Sequence, residues 1–224
     1  VPYKNNLNKN SAILSHGAKL IQHGKDFQSA FEWALNLAKL KNMHFIPSFD
    51  MNLVKGVSTY ALEFFTKSPP LDAIYVPIGL GSGICGVIAA RNALRIKTKI
   101  IGVVAKNAEA YSISFKNKKV TPTISADTVA DGIACRTPNS EALEYILNDV
   151  ERVITVSEEQ ILEAIGVYFS HTRNLAEGAA AAALAALLSE RSSMQNKRVG
   201  IVLSGGNIDQ DVHNRAIKFY QSTL

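Results

Sequence analysis

The chain is poor in cysteine: Cys85 and Cys135 are its only two. Two thiols so far apart make neither a disulfide framework nor a zinc-ligand spacing, and the expected state is two buried free thiols in a reducing compartment. No apolar run approaches the ~20 residues that span a bilayer, and no leader pattern opens the chain, so no membrane partner is expected. Charge of one sign is scarce as well. Lys and Arg number 24 against 19 Asp and Glu, and the excess of five is scattered. The one basic cluster, Lys116, Lys118 and Lys119, adjoins Asn117 and Thr121-Pro122. It reads as a solvated loop, and no nucleic-acid partner is expected from it. The mild positive excess favours carboxylate or phosphate ligands only weakly. Internal repeats and low-complexity linkers are absent too.

What remains is an ordinary globular composition, 47% apolar and 19% charged over 224 residues. That suffices for one large domain, or one and a part of another. Hydrophobic spacing predicts helices over residues 7–16, 26–41, 53–65, 107–115, 140–147, 157–169, 177–188 and from about 209. Strands are predicted over residues 19–22, 44–46, 74–78, 100–104, 152–156 and 198–203. Residues 116–136 read as a long ordered excursion. Ser157 with Gln160 forms a capping box. The alanines of residues 179–186 read as a close-packing helix face. Gly56 either opens or interrupts its helix. Strands alternating with helices argue an α/β fold, a doubly wound and mostly parallel sheet with helices on both faces. Ligands of such sheets sit outside the carboxyl ends of the strands.

One stretch organises the rest. Residues 74–90 read as a strand, the turn Gly79-Leu80-Gly81-Ser82-Gly83, and a helix of small and apolar residues. Such a turn leaves backbone N–H groups free at a helix N-terminus, where an anion is favoured. Glycines at 79, 81 and 83 permit left-handed angles and close approach of a ligand. A phosphate cup is one reading; a plain strand-to-helix turn of any α/β protein is the other. Gly81 to Gly86 fits G-x-G-x-x-G in form, but the following strand ends in Val104-Ala105-Lys106, without the acidic residue that fingerprint needs. A nicotinamide dehydrogenase is therefore disfavoured. The second glycine turn, Ser204-Gly205-Gly206-Asn207, also follows a predicted strand and can face the same cleft.

Five segments in register resemble the serine/threonine dehydratases, fold-type II pyridoxal-phosphate enzymes with the tryptophan synthase β-like fold. They are Asn5-Asn6-Leu7-Asn8-Lys9 with His16-Gly17-Ala18; Gly56-Val57-Ser58-Thr59-Tyr60-Ala61-Leu62-Glu63; Val76 to Gly86; Ala176-Glu177-Gly178-Ala179-Ala180; and Leu203-Ser204-Gly205-Gly206-Asn207. The resemblance covers essentially the whole chain. It implies that Gly79, Leu80, Gly81, Ser82 and Gly83 hold the phosphate of pyridoxal 5'-phosphate. Leu80 and Ser82 stand where the family has glycine, which is tolerable if their N–H groups hold the anion; the Ser82 hydroxyl is a further donor. It implies that Ser204, otherwise a turn serine, bonds the pyridine nitrogen, and that Glu177, otherwise a helix-dipole partner, lies near the ring. A neutral hydroxyl at the pyridine nitrogen suits β-elimination, in which the leaving group carries off the electrons. The implied reaction is dehydration of L-threonine or L-serine: a lysine removes the Cα proton, the β-hydroxyl leaves, and hydrolysis yields ammonia and a 2-oxo acid. A small hydroxy amino acid is the implied partner, in a cytoplasmic enzyme that is a homo-oligomer in its full-length form.

Two departures qualify the resemblance. Neither the family's lysine motif S-F-K-x-R-G nor its carboxylate loop S-x-G-N-H-G occurs, no lysine sits in a matching context, and the chain begins at Val1 without an initiator Met. No catalytic residue is therefore assigned. The chain is expected to be the C-terminal two-thirds of such an enzyme, a fold incomplete at the N-terminus. Residues 1–46 would be part of the small domain and residues 47–224 the large cofactor-binding domain. Alone, it is expected to be inactive and of limited stability. Some relatives bind Mg²⁺ through a Glu and an Asp; the matching positions here are Val104 and Ala110, so no metal site is expected. Alternatives are 3-hydroxyaspartate dehydration, a racemase, or a non-catalytic remnant that keeps the cup.

Overall fold

The computed structural model describes residues 1–223, in two compact units, Val1–Pro47 and Ser48–Leu224. The first unit holds two helices. In α1 (Leu7–Ser15) the Asn6 side chain accepts from Lys9 N at 3.0 Å, and Gly17, at φ +77°, closes the end. In α2 (Phe27–Leu40) Asp26 accepts from Ser29 N at 2.8 Å. Trp33 stacks on His23 with ring centroids 4.7 Å apart.

The strands predicted over 19–22 and 44–46 do not form. The first is tied only by isolated bonds: the Val1 amine donates to Ile21 O at 2.9 Å and His23 N to Val1 O at 2.8 Å. A strand needs a continuous neighbouring ladder as well as apolar spacing, and spacing alone cannot report the neighbour.

The second unit is a three-layer α/β structure. Its strands are β1 (Ala73–Pro77), β2 (Lys99–Ala105), β3 (Arg152–Val156) and β4 (Val199–Ile201), in the order β3-β2-β1-β4 and all parallel. Side-chain alternation sends Ile74, Val76, Ile100 and Val104 to one face and Ala73, Tyr75, Ile101 and Val103 to the other. Both faces are covered, so the central strands read as continuous apolar runs.

On the first face lie α3 (Met51–Lys67), α4 (Ser82–Ala93), α5 (Ala110–Asn117) and α6 (Ser140–Asp149). Gly56 sits inside α3 with open space around it, so it neither opens the helix nor admits a close neighbour. The close approach comes from Gly86 of α4, where a methyl would lie 3.1 Å from Ser58 N of α3.

On the second face lie α7 (Glu158–Val167), α8 (Gly178–Ser189) and α9 (Gln210–Gln221). The capping box of α7 forms as predicted, with Ser157 and Gln160 bonding reciprocally. In α8 the alanines from Ala179 to Ala183, with Ala185 and Ala186, are all buried. Small side chains there let the helix lie flat on the sheet. The last strand is shorter than predicted, ending at Ile201, although Val202 N still donates to Tyr75 O at 3.1 Å. No helix among the described residues is long and apolar enough to cross a membrane.

Candidate functional site

Both glycine turns follow neighbouring parallel strands, β1 and β4, and therefore emerge at one carboxyl edge of the sheet. The first turn leaves β1 after Ile78, whose N–H donates to Val103 O at 2.8 Å, and enters α4 through Gly81 as N-cap. Gly81 has φ +106° and no side chain with which to cap the helix. The first intrahelical partner of its carbonyl is Cys85 N, at 3.0 Å. Among the described residues, the N–H groups of Gly81, Ser82, Gly83 and Ile84 find no protein acceptor. Gly81 and Ile84 are buried. Buried N–H groups without acceptors are costly, and a run of free amides at a helix N-terminus suits an anion.

The three glycines of this turn do different things. Only Gly81 needs the left-handed region; there a methyl would also meet Ala142 Cβ at 2.5 Å. Gly79 is required by packing, since its methyl would lie 2.6 Å from Gly132 O. Gly83 faces nothing within 4 Å and adopts no positive φ. Of the three glycines that permit left-handed angles, Gly81 alone adopts one. Leu80 is half-buried and packs against the core of the first face, which leaves its backbone for the cup. Ser82 opens α4 and is half-buried.

Glu177 is the N-cap of α8 but makes no side-chain cap bond. Instead its carboxylate lies against the second turn: a methyl on Gly205 would be 2.8 Å from Glu177 Oε1. Glu177 N also donates to Gly205 O at 3.2 Å. Ser204, next to it, is exposed at the rim.

The residue that joins the two turns is one that sequence reading misses. Gly132, in the 3-10 turn Asp131–Ile133, touches Gly79 through its carbonyl. On its other side a methyl would lie 3.5 Å from Glu177 Oε1 and 2.9 Å from Ala179 Cβ. The series Gly79, Gly132, Glu177, Gly205 thus runs without a gap from the first glycine turn to Ser204. The Gly132 turn is held in place by Glu158, whose Oε2 accepts from Val129 N at 2.7 Å. Its only signal in the sequence is a glycine within an excursion otherwise without periodicity.

The thiols of Cys85 and Cys135 are buried and free, and burial pushes each up to about 12. They are inert packing groups. Val104 and Ala110 are buried apolar positions, and among the described residues no group of three or more His, Cys, Asp or Glu side chains gathers. The tripeptide Ser114-Phe115-Lys116 shares the first three residues of the lysine motif, but Lys118 and Lys119 follow where that motif has Arg-Gly. It occupies the last turn of α5, with the Ser114 hydroxyl engaged by Thr121 N at 2.8 Å and Lys116 exposed.

A parallel α/β sheet with amides free of protein acceptors at its carboxyl edge is an arrangement that suits an anionic ligand. Residues 1–205 match the family described as pyridoxal-phosphate dependent enzyme, and the chain belongs to that family. The chain is 32% identical to the L-threonine ammonia-lyase of Thermotoga maritima over 94% of its own length and 53% of that protein's. It is 35% identical to the L-threonine ammonia-lyase of Geobacter sulfurreducens over 88% of this chain and 50% of that one. The processed form of threonine deaminase isoform 2 from Solanum lycopersicum superposes with a TM-score of 0.89 at 25% identity, over 99% of this chain and 62% of that one. The chain therefore spans about half the length of the curated relatives it matches.

Proposed function

We propose that this chain is the cofactor-binding part of a pyridoxal-phosphate dependent ammonia-lyase that dehydrates L-threonine or L-serine. One observation supports the phosphate end above all: the N–H groups of Gly81, Ser82, Gly83 and Ile84 lack protein acceptors at the start of α4. Gly79, Leu80 and Gly81 shape the cradle, and its donors fit a phosphate dianion in number and charge. Ser204 would take the pyridine nitrogen and Glu177 would lie beside the ring. When bound, the cofactor supplies an electron sink for charge developing at the Cα of an amino acid. The protein's part is to orient it. A serine at the ring nitrogen offers a neutral hydrogen bond, which leaves the ring a moderate sink and favours elimination over reactions needing a long-lived carbanion. The relatives named L-threonine ammonia-lyase support this choice of substrate class.

The full S-F-K-x-R-G segment is not among these residues, so this reading assigns the base and covalent anchor to a segment outside them. The chain should accordingly bind the cofactor without turning over. Titration followed by absorbance is expected to show saturable binding of pyridoxal phosphate and none of NAD. The same preparation is expected to form no 2-oxobutyrate from L-threonine. Binding of NAD in preference to pyridoxal phosphate would overturn the cofactor assignment; 2-oxobutyrate production would overturn the assignment of the lysine. The cytoplasmic location and the homo-oligomeric full-length form belong to the same proposal.

A further inference from the structure

Tyr111 lies on α5 and is 1% exposed. Its hydroxyl donates to Leu80 O at 2.7 Å and accepts from Asn139 N at 3.1 Å. Asn139 in turn caps α6, its Oδ1 accepting from Ala142 N at 2.9 Å. Tyr111 and Ala142 together fill the place where any side chain at residue 81 would go: a methyl there would lie 3.1 Å from the Tyr111 hydroxyl and 2.5 Å from Ala142 Cβ. One side of the Leu80–Gly81 peptide is therefore a solid wall, and Leu80 O is bonded into it.

The peptide between Leu80 and Gly81 is trans. In a planar trans peptide the carbonyl and the N–H point in opposite directions. Holding Leu80 O against Tyr111 turns the Gly81 N–H away from the wall. From this geometry we infer that Tyr111 is a positioning residue: its hydroxyl locks the Leu80–Gly81 peptide so that the Gly81 N–H joins those of Ser82, Gly83 and Ile84 as a phosphate donor. The inference rests on the phosphate-cup reading of this turn and deepens it. Burial raises the phenol well above its ordinary value, so the hydroxyl keeps the proton it donates to Leu80 O at every working pH. A preset peptide need not reorient when the anion arrives. Without the hydroxyl, the peptide is free to rotate and present a carbonyl dipole, the wrong sign, to the phosphate.

The test is Tyr111→Phe in the full chain, which keeps the ring and its packing and removes one oxygen. Affinities for pyridoxal phosphate and for pyridoxal, which lacks the phosphate, are measured by fluorescence titration. The expected result is about tenfold weaker binding of the phosphorylated ligand, the loss of one well-aimed charge-assisted hydrogen bond, with pyridoxal binding unchanged. Equal weakening of both ligands, or none, overturns the inference, because a merely structural role would not select the phosphate. In the unmodified chain the backbone amide resonances are followed on adding inorganic phosphate. Movement at Gly81 together with Ser82 and Gly83 supports the lock. Movement at Ser82 and Gly83 without Gly81 overturns it and leaves the cup standing; movement at none of them overturns the cup, and the lock with it.

Discussion

Gly81→Ala is expected to destabilise the chain by about 2–5 kcal/mol, the sum of the left-handed backbone penalty and the overpacking of a filled space, and to weaken pyridoxal-phosphate binding at least tenfold. Both effects have one origin. At φ +106° an L-residue is strained whatever surrounds it, and here the added methyl would also meet Ala142 Cβ at 2.5 Å. Relief of that contact requires the turn to move away from α6, which breaks the Tyr111 bond to Leu80 O and swings the Gly81 N–H. Urea denaturation reads the first effect and ligand titration the second. Gly83→Ala is the natural comparison. The same methyl there enters open space at an ordinary φ, and the second residue of a helix gains about 0.5–1 kcal/mol from alanine over glycine. Stability loss at 81 and none at 83 is the expected pair.

The second large effect lies on the opposite face of the sheet. Tyr75, wholly buried on β1, donates to Glu190 at the end of α8, and Arg152 at the start of β3 donates to the same carboxylate at 2.6 Å. Glu190→Ala leaves a buried hydroxyl and a half-buried guanidinium without that partner. The expected loss is about 2–4 kcal/mol, below that of a fully buried ion pair because both charged side chains keep some exposure to water. The same carboxylate sets a pH dependence. Burial works to raise it, but the hydrogen bonds from Arg152 and Tyr75 and the Arg152 charge outweigh burial and hold it below the usual carboxylate value. A depressed folded-state value stabilises the chain above the unfolded value, about 4.3 for glutamate, and that stability is lost as pH falls through the folded one. Thermal unfolding between about pH 5 and pH 3 should therefore show a steeper loss in the unmodified chain than in Glu190→Gln. Parallel curves would mean that this carboxylate gains nothing from its partners.

Features written in local chemistry are legible in the amino-acid sequence. The Ser157–Gln160 capping box and the alanine face of α8 depend on neighbours within one or two turns, and each forms as read. The glycine turn after β1 falls where expected for the same reason, since a strand, three glycines and a helix are contiguous. Residues 19–22 read as a strand and form none, because apolar spacing cannot reveal whether another strand lies alongside. Gly132 and Tyr111 escape sequence reading for a related reason. Their importance comes from what they touch, Gly79 in one case and Leu80 in the other, across long stretches of chain. Nothing near them in the sequence marks those contacts. Glycines at 79, 81 and 83 look alike in sequence, and only packing separates the one that is strained, the one that is crowded and the one that faces open space.

We propose that the start of α4 holds the phosphate of pyridoxal phosphate. The measurement that bears on it most directly is a crystal structure of the chain grown with that cofactor. The expected result is phosphate oxygens at hydrogen-bonding distance, about 2.7–3.2 Å, from the N–H groups of Gly81, Ser82, Gly83 and Ile84, with the ring extending past Glu177 toward Ser204. A phosphate bound elsewhere on the chain, with those amides left to water, would contradict it.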